Sequence, residues 1–160
     1  MSNEHLGYGG SMIPADTVYK LTKLAADGTD LSVDATGHLA VRLDHGLLAR
    51  PLIWTAHRSP ERMTWLDAKR WAEGLDINGW QWRLPTVEEA FLLCDRSRTT
   101  YPLVDPAYFP DCEGEGIWTA TEDLVPPAGY AWDVFLNGGL SNRSVTDFHS
   151  HVRAVRAGQF

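Results

Sequence analysis

The amino-acid sequence predicts an α+β domain in which strands come first, two helices follow, and a run of antiparallel strands closes the chain. Three observations carry that assignment. Stretches rich in β-branched and aromatic residues stand at both ends, broken by Gly, Asp and Asn turn signals. Between them lie two amphipathic segments, each preceded by a threonine suited to cap a helix. No alternation of strand and helix and no internal repeat appears along the 160 residues.

Residues 1–16 are rich in Gly and Ser with little periodicity, and are expected to form a flexible lead to a single domain over 17–160. Val18 to Leu24 is strand-compatible, and Ala26 to Asp30 reads as a turn. Thr36 to Gly46 suggests a second strand ending in a turn, and Pro51 to Thr55 a short apolar strand. The first helix starts at Thr64, with Asp67 three residues on. Its apolar stripe is Trp65, Ala68, Ala72 and Leu75, and Gly74, Asn78 and Gly79 close it.

The second helix, Val87 to Asp95, carries the clearest local signal. The Thr86 hydroxyl can accept a bond from the Glu89 N–H while the Glu89 carboxylate reaches back to the N–H of Thr86, a capping box. Pro85 keeps Leu84 extended, and Val87, Ala90, Phe91 and Cys94 share one face. Thr99 to Pro102 and Asp105 to Pro110 then read as a long proline-punctuated loop. Strands are predicted at Gly116–Thr121, Tyr130–Leu136 and His151–Arg156, with Asn137-Gly138-Gly139 as the turn between the last two.

Composition narrows the function classes. A hydrophobic fraction of 44% and a charged fraction of 22% suit one globular domain with a single core. The seven Trp read first as core anchors. A net charge of −7 argues against nucleic acid, sulfated glycans and anionic membranes as partners. No apolar run approaches about 18 residues, so no membrane span is expected. Met1 to Gly7 has neither the basic start nor the apolar stretch of a Sec signal peptide. The expected location is therefore the cytoplasm, or export by another route such as a phage particle or specialised secretion. Cys94 and Cys112 have neither zinc-site nor thioredoxin-like spacing and are expected to be free thiols, Cys94 acting as a small hydrophobe.

The run Gly79-Trp80-Gln81-Trp82-Arg83-Leu84-Pro85-Thr86 precedes the acidic second helix, and other short motifs flank it in order. They are Ile53-Trp54-Thr55, the helix with Trp65 and Ala68, Phe109-Pro110, Ile117 to Thr121, Ala131 to Val134 and Val152 to Arg156. This ordered set resembles a bacterial domain family that forms the C-terminal domain of a Legionella collagen-like adhesin, over roughly Thr17 to Arg156. The resemblance implies a C-type-lectin-like fold, with two helices flanking a compact twisted antiparallel sheet and the N- and C-terminal strands close together. It also implies a distant relation to formylglycine-generating enzymes. Arg83 is expected to be held against a carboxylate or backbone carbonyls, a structural role.

Few residues suggest catalysis. If Asp147 to His151 is extended, Asp147, His149 and His151 project from one face, and two imidazoles with a carboxylate could hold a divalent metal. The same pattern fits the polar outer face of a strand, and the reading adopted is no metal and no cofactor. His57 or His149 paired with Ser59, Ser144 or Ser150 lacks the context of a nucleophile elbow. Enzymes of the formylglycine-generating type need a copper-holding cysteine pair in the C-terminal third, and Cys94 and Cys112 do not supply a pair there. Sugar-binding lectins of this fold carry a Glu-Pro-Asn-like loop and Trp-Asn-Asp. Here Glu122 to Pro127 and Trp132-Asp133-Val134 leave the calcium oxygen set incomplete.

The sequence thus points to a non-enzymatic recognition module that uses loops 121–129 and 137–149. Glu122, Asp123, Asn142, Arg143 and Asp147 would supply polar contacts, and Tyr130 and Trp132 a stacking floor. A protein partner is expected first and a glycan second, in a phage or bacterial adhesion, receptor-binding or inhibitory protein. The alternatives are a metal-dependent enzyme related to the formylglycine-generating group and a structural component of a phage or secretion particle.

Overall fold

A computed structural model describes residues 17–112 and 116–158, so the expected lead over 1–16 lies outside the described residues. Strands β1 (Tyr19–Leu24), β2 (Ala40–His45) and β3 (Leu52–Thr55) precede helices α1 (Trp65–Glu73) and α2 (Val87–Leu93). Strands β4 (Gly116–Asp123), β5 (Tyr130–Phe135), β6 (Leu140–Val145) and β7 (Val155–Ala157) follow. The α+β class stands, but the antiparallel sheet comes in two pieces: one of order β1-β2-β3-β7, the other β4-β5-β6.

That order corrects one expectation. β1 and β7 sit at opposite edges of their sheet with two strands between them, about 14 Å apart at normal strand spacing. β1 is the outer arm of the β1–β2 hairpin, so β7 adds on the far side, against β3.

Both helices start as their sequences dictate. The Thr64 hydroxyl accepts from Asp67 N–H at 3.4 Å, α1 buries Ala68 and Ala72, and Gly74 ends it. At α2 the Glu89 N–H donates to the Thr86 hydroxyl at 3.1 Å and the Thr86 N–H donates to the Glu89 carboxylate at 2.8 Å. Cys94 is extended, so α2 stops at Leu93, short of the expected Asp95. Arg83 grips the same carboxylate through two nitrogens, at 2.7 and 2.9 Å, and donates to the Leu84 carbonyl at 3.1 Å. One glutamate therefore caps the helix and docks the segment that leads into it.

Burial alone would push the Glu89 carboxyl up, but the Arg83 guanidinium and the Thr86 N–H outweigh it and hold the group below its ordinary value. Its contribution is thus complete above the unfolded carboxyl value and is lost as pH falls through the lower folded one. In urea titrations, Glu89→Gln should lose less stability than wild type between about pH 6 and about pH 3. Thr86→Ala should cost about 1 kcal/mol at neutral pH in the same assay.

Apolar side chains gather in two clusters. Val41, Leu43, Trp54, Leu93, Phe109 and Val134 pack between the four-stranded sheet, α2 and the loop after it. Ala68, Ala72, Trp82, Leu84, Trp118 and Ala131 pack beneath α1. Trp54, Trp82 and Trp118 are the buried anchors, while Trp65, Trp71 and Trp80 pack at the margin of the second cluster. Cys94 and Cys112 are free and buried, and burial pushes the Cys94 thiol up to about 12.

The strand expected over 151–156 begins only at Val155, because the residues before it divide their bonds among several partners. The His151 carbonyl accepts from Trp118 N–H at 3.0 Å and the Val152 carbonyl from Ser59 N–H at 2.7 Å. The Ala154 carbonyl accepts from Thr55 N–H at 2.9 Å, and the Val155 carbonyl from Arg83 N–H at 3.0 Å. Segment 150–157 therefore stitches the two sheets together. At its centre Arg153, 1% exposed, donates to the carbonyls of Thr55 and Ala56 at 3.2 and 2.6 Å and to Asp111 at 3.0 Å.

Candidate functional site

The two loops assigned to recognition are partly strand. Residues 140–145 form β6 at the edge of the second sheet, and Asn137 to Gly139 joins β5 to β6 rather than to the final strand. β4 runs through Asp123, which leaves only 124–129 as a loop. The sequence Leu140-Ser-Asn-Arg-Ser-Val145 has apolar residues only at its ends and buries none of them, so no alternation betrays it.

Residues directly opposite in an antiparallel pair share a face. Asp123 pairs with Tyr130 and Trp132 with Arg143, so these four lie on one face of the sheet. The Arg143 guanidinium stacks 3.7 Å from the Tyr130 ring centre, binds the Asp123 carboxylate through Nε, and donates to the carbonyls of Val125 and Pro127 at 3.1 and 3.3 Å. Asp123, itself buried, also accepts from the Val125 N–H at 3.0 Å. Arg143 and Asp123 thus brace the 124–129 loop against β5. Half-buried Trp132 stands beside this brace.

The other three proposed contacts lie elsewhere. Glu122 pairs with Ala131 and Asn142 with Asp133, on the opposite face, and both are exposed. Asp147 is exposed in the turn that follows β6.

The metal candidates do not converge. The 146–148 segment is a turn closed by Phe148 N–H on the Val145 carbonyl at 2.9 Å, so the stretch is not extended. His149 is exposed, whereas His151 is buried with Nδ1 3.0 Å from the Ser59 carbonyl. Among the described residues no group of three or more His, Cys, Asp or Glu is placed to hold a metal ion. The Ser59 hydroxyl donates to the Glu61 carbonyl at 2.7 Å and accepts from the Val152 N–H at 2.9 Å, while His57 faces Asp111 at 3.5 Å. Among the described residues, these bonds join neither Ser59 nor His57 to a serine–histidine pair.

A larger concavity lies at the other end of β6. A groove of about 560 Å³ runs between the loop after α2 and the β5–β6 turn, lined by Arg96, Arg98, Thr100, Tyr101, Gly138 and Leu140. Tyr101 is 70% exposed and Leu140 62%, an unusual pairing of large apolar surface with two guanidinium groups. Arg96 lies flat on Gly139 and donates to its carbonyl at 3.0 Å. A Cβ on Gly139 would stand 2.9 Å from Arg96 Nη2, and the residue has φ +69°, so only glycine fits beneath the guanidinium. Arg98 donates from Nε to the Pro102 carbonyl at 2.8 Å. Sequence reasoning passed over Arg96, Arg98 and Tyr101. The signal was available in Arg96-Ser-Arg-Thr-Thr-Tyr-Pro102, a polar loop with paired arginines and an aromatic ahead of a proline.

No helix among the described residues is long and apolar enough to cross a membrane. Residues 48–156, more than half of the chain, match the family model described as the Lcl C-terminal domain. No curated protein matches the chain.

Proposed function

Because the chain belongs to the Lcl C-terminal domain family, we propose that it is a non-enzymatic recognition module whose contact surface is the groove beside β6. The observation that carries this reading is the groove itself: Arg96 and Arg98 flank an exposed Tyr101 and Leu140 on loops fixed to a rigid sheet. Tyr and Arg are the side chains that most often dominate binding energy at protein interfaces. Two guanidinium groups beside apolar surface suit a carboxylate that is followed by an apolar or aromatic side chain. The net charge of −7 disfavours a long polyanion, so the preferred partner is a protein that presents one such short segment, with a glycan as the second choice. The burial of His151 against Ser59 and the deep placement of both thiols also favour binding over catalysis.

Capture of a partner from host-cell extract by the whole protein tests this. The double substitution Arg98→Ala/Tyr101→Ala should weaken capture at least about tenfold while the folded spectrum is unchanged. Glu122→Ala/Asn142→Ala, on the sheet face opposite the Arg143 brace, should leave capture intact. Equal capture by the groove variant and wild type would overturn the assignment.

A further inference from the structure

β5 carries a second polar feature, on the face opposite Tyr130 and Trp132. Asp133 is 1% exposed, and its Oδ1 has no hydrogen-bond partner. Its Oδ2 accepts from the Ser144 hydroxyl at 3.2 Å. The residue directly across on β4 is fully buried Trp118. Burial pushes this carboxyl above its ordinary value, with the Ser144 and Ser150 hydroxyls and the backbone donors only partly offsetting it. A carboxyl kept there destabilises the fold, which is the usual mark of a group held for a ligand.

The room for a ligand exists. Asp133 lines a cavity of about 120 Å³ together with Arg62, Gly116, Phe135, Phe148, His149 and Ser150. Gly116 keeps the space open, since a Cβ there would stand 3.1 Å from Asp133 Oδ2 and 3.5 Å from the Phe135 ring. Phe148 is 53% exposed at the cavity and Ser150 is buried within it.

Donor and acceptor chemistry selects the occupant. One carboxylate and one hydroxyl are too few oxygen ligands for calcium. An anion would meet the Asp133 carboxylate. An ammonium on a short alkyl stem fits: it can donate to the Asp133 carboxylate and Ser150 Oγ, while the rings of Phe135 and Phe148 contact its methylenes and attract its charge. We propose that the Asp133 cavity binds a primary alkylammonium group, presented either as a free small amine or as a lysine side chain.

The test is titration of n-butylammonium chloride into ¹⁵N-labelled whole protein, followed by amide chemical shifts. Saturable shifts centred on Gly116, Asp133, His149 and Ser150 are expected, and n-butanol, similar in shape and uncharged, should not reproduce them. Asp133→Asn should weaken the amine at least tenfold. Gly116→Ala, which keeps the carboxylate but crowds the cavity with a methyl group 3.1 Å from Asp133 Oδ2, should do the same and keeps the proposal testable should the Asn variant fold poorly. A capped Gly-Lys-Gly peptide that binds as well as the amine would assign the site to lysine side chains, and binding of the amine alone would assign it to small amines. Absence of saturable shifts, equal shifts from n-butanol, or unchanged affinity in a folded Asp133→Asn or Gly116→Ala protein would each overturn the proposal. Because the readout is local to this cavity, its outcome is independent of partner capture by the groove.

Discussion

Replacing Arg153 with methionine is expected to lower stability by about 3–5 kcal/mol, a loss of about 10 °C or more in Tm for a domain of this size. Methionine nearly conserves the volume of the buried stem, so the cost comes from the groups it abandons. The carbonyls of Thr55 and Ala56 lose their donor, and Asp111 loses its nearest cation. Asp111 keeps the Arg58 N–H at 2.9 Å, which limits how far it can turn towards solvent. Burial pulls the Arg153 guanidinium below its ordinary value and Asp111 opposes that pull, so the pair stands or falls together. The double variant Arg153→Met/Asp111→Asn should therefore lose less than the sum of the two single changes, as a double-mutant cycle in urea would read. A loss below about 1 kcal/mol in Arg153→Met would show that the guanidinium contributes little.

Trp118→Ala should cost a similar 3–5 kcal/mol or so, through the cavity it opens beneath α1. A finer comparison separates packing from hydrogen bonding. Trp118 and Trp54 are both fully buried, but Trp118 Nε1 donates to the Met63 carbonyl at 2.8 Å while Trp54 Nε1 has no partner. Trp118→Phe loses ring volume and a bond. Trp54→Phe loses the same volume and also removes an unsatisfied buried donor, whose burial costs about 1–3 kcal/mol. Thermal and urea melts should therefore find Trp54→Phe the milder variant by about 1 kcal/mol or more. Equal losses would mean that packing alone sets both values.

The parts of this fold that were legible in the sequence are those in which local chemistry and tertiary position agree. Thr64 and Thr86 cap helices because a side-chain acceptor three residues before a free N–H needs no distant help. Arg83 met a carboxylate as expected, and the carboxylate proved to be the capping residue itself. β6 was illegible because an edge strand with no buried face has no period to read. Segment 151–154 looked like a strand because polar and apolar residues alternate along it, yet its peptide groups answer to Trp118, Ser59 and Thr55 in turn. The site suffered from the same blindness. Arg143 read as a polar contact in the 137–149 loop, while its partners Asp123 and Tyr130 are brought to it only by strand pairing. The loop after α2 joins the groove only because the β5–β6 hairpin folds over Gly139, a contact between residues 43 apart.

The stitching role of segment 150–157 also sets a schedule for synthesis. The contact between Arg153 and Thr55 spans 98 residues, so a ribosome working at about 5–20 residues per second delivers the second half of it about 5–20 s after the first. Throughout that interval the outer edge of Leu52-Ile53-Trp54-Thr55, which will later pair with β7, has no strand beside it. An apolar, uncovered edge is a ready template for pairing with a neighbouring nascent chain. The growing polypeptide is thus most exposed to aggregation late in translation, and holdase chaperones that mask β3 should raise the yield of folded protein most when elongation is slow.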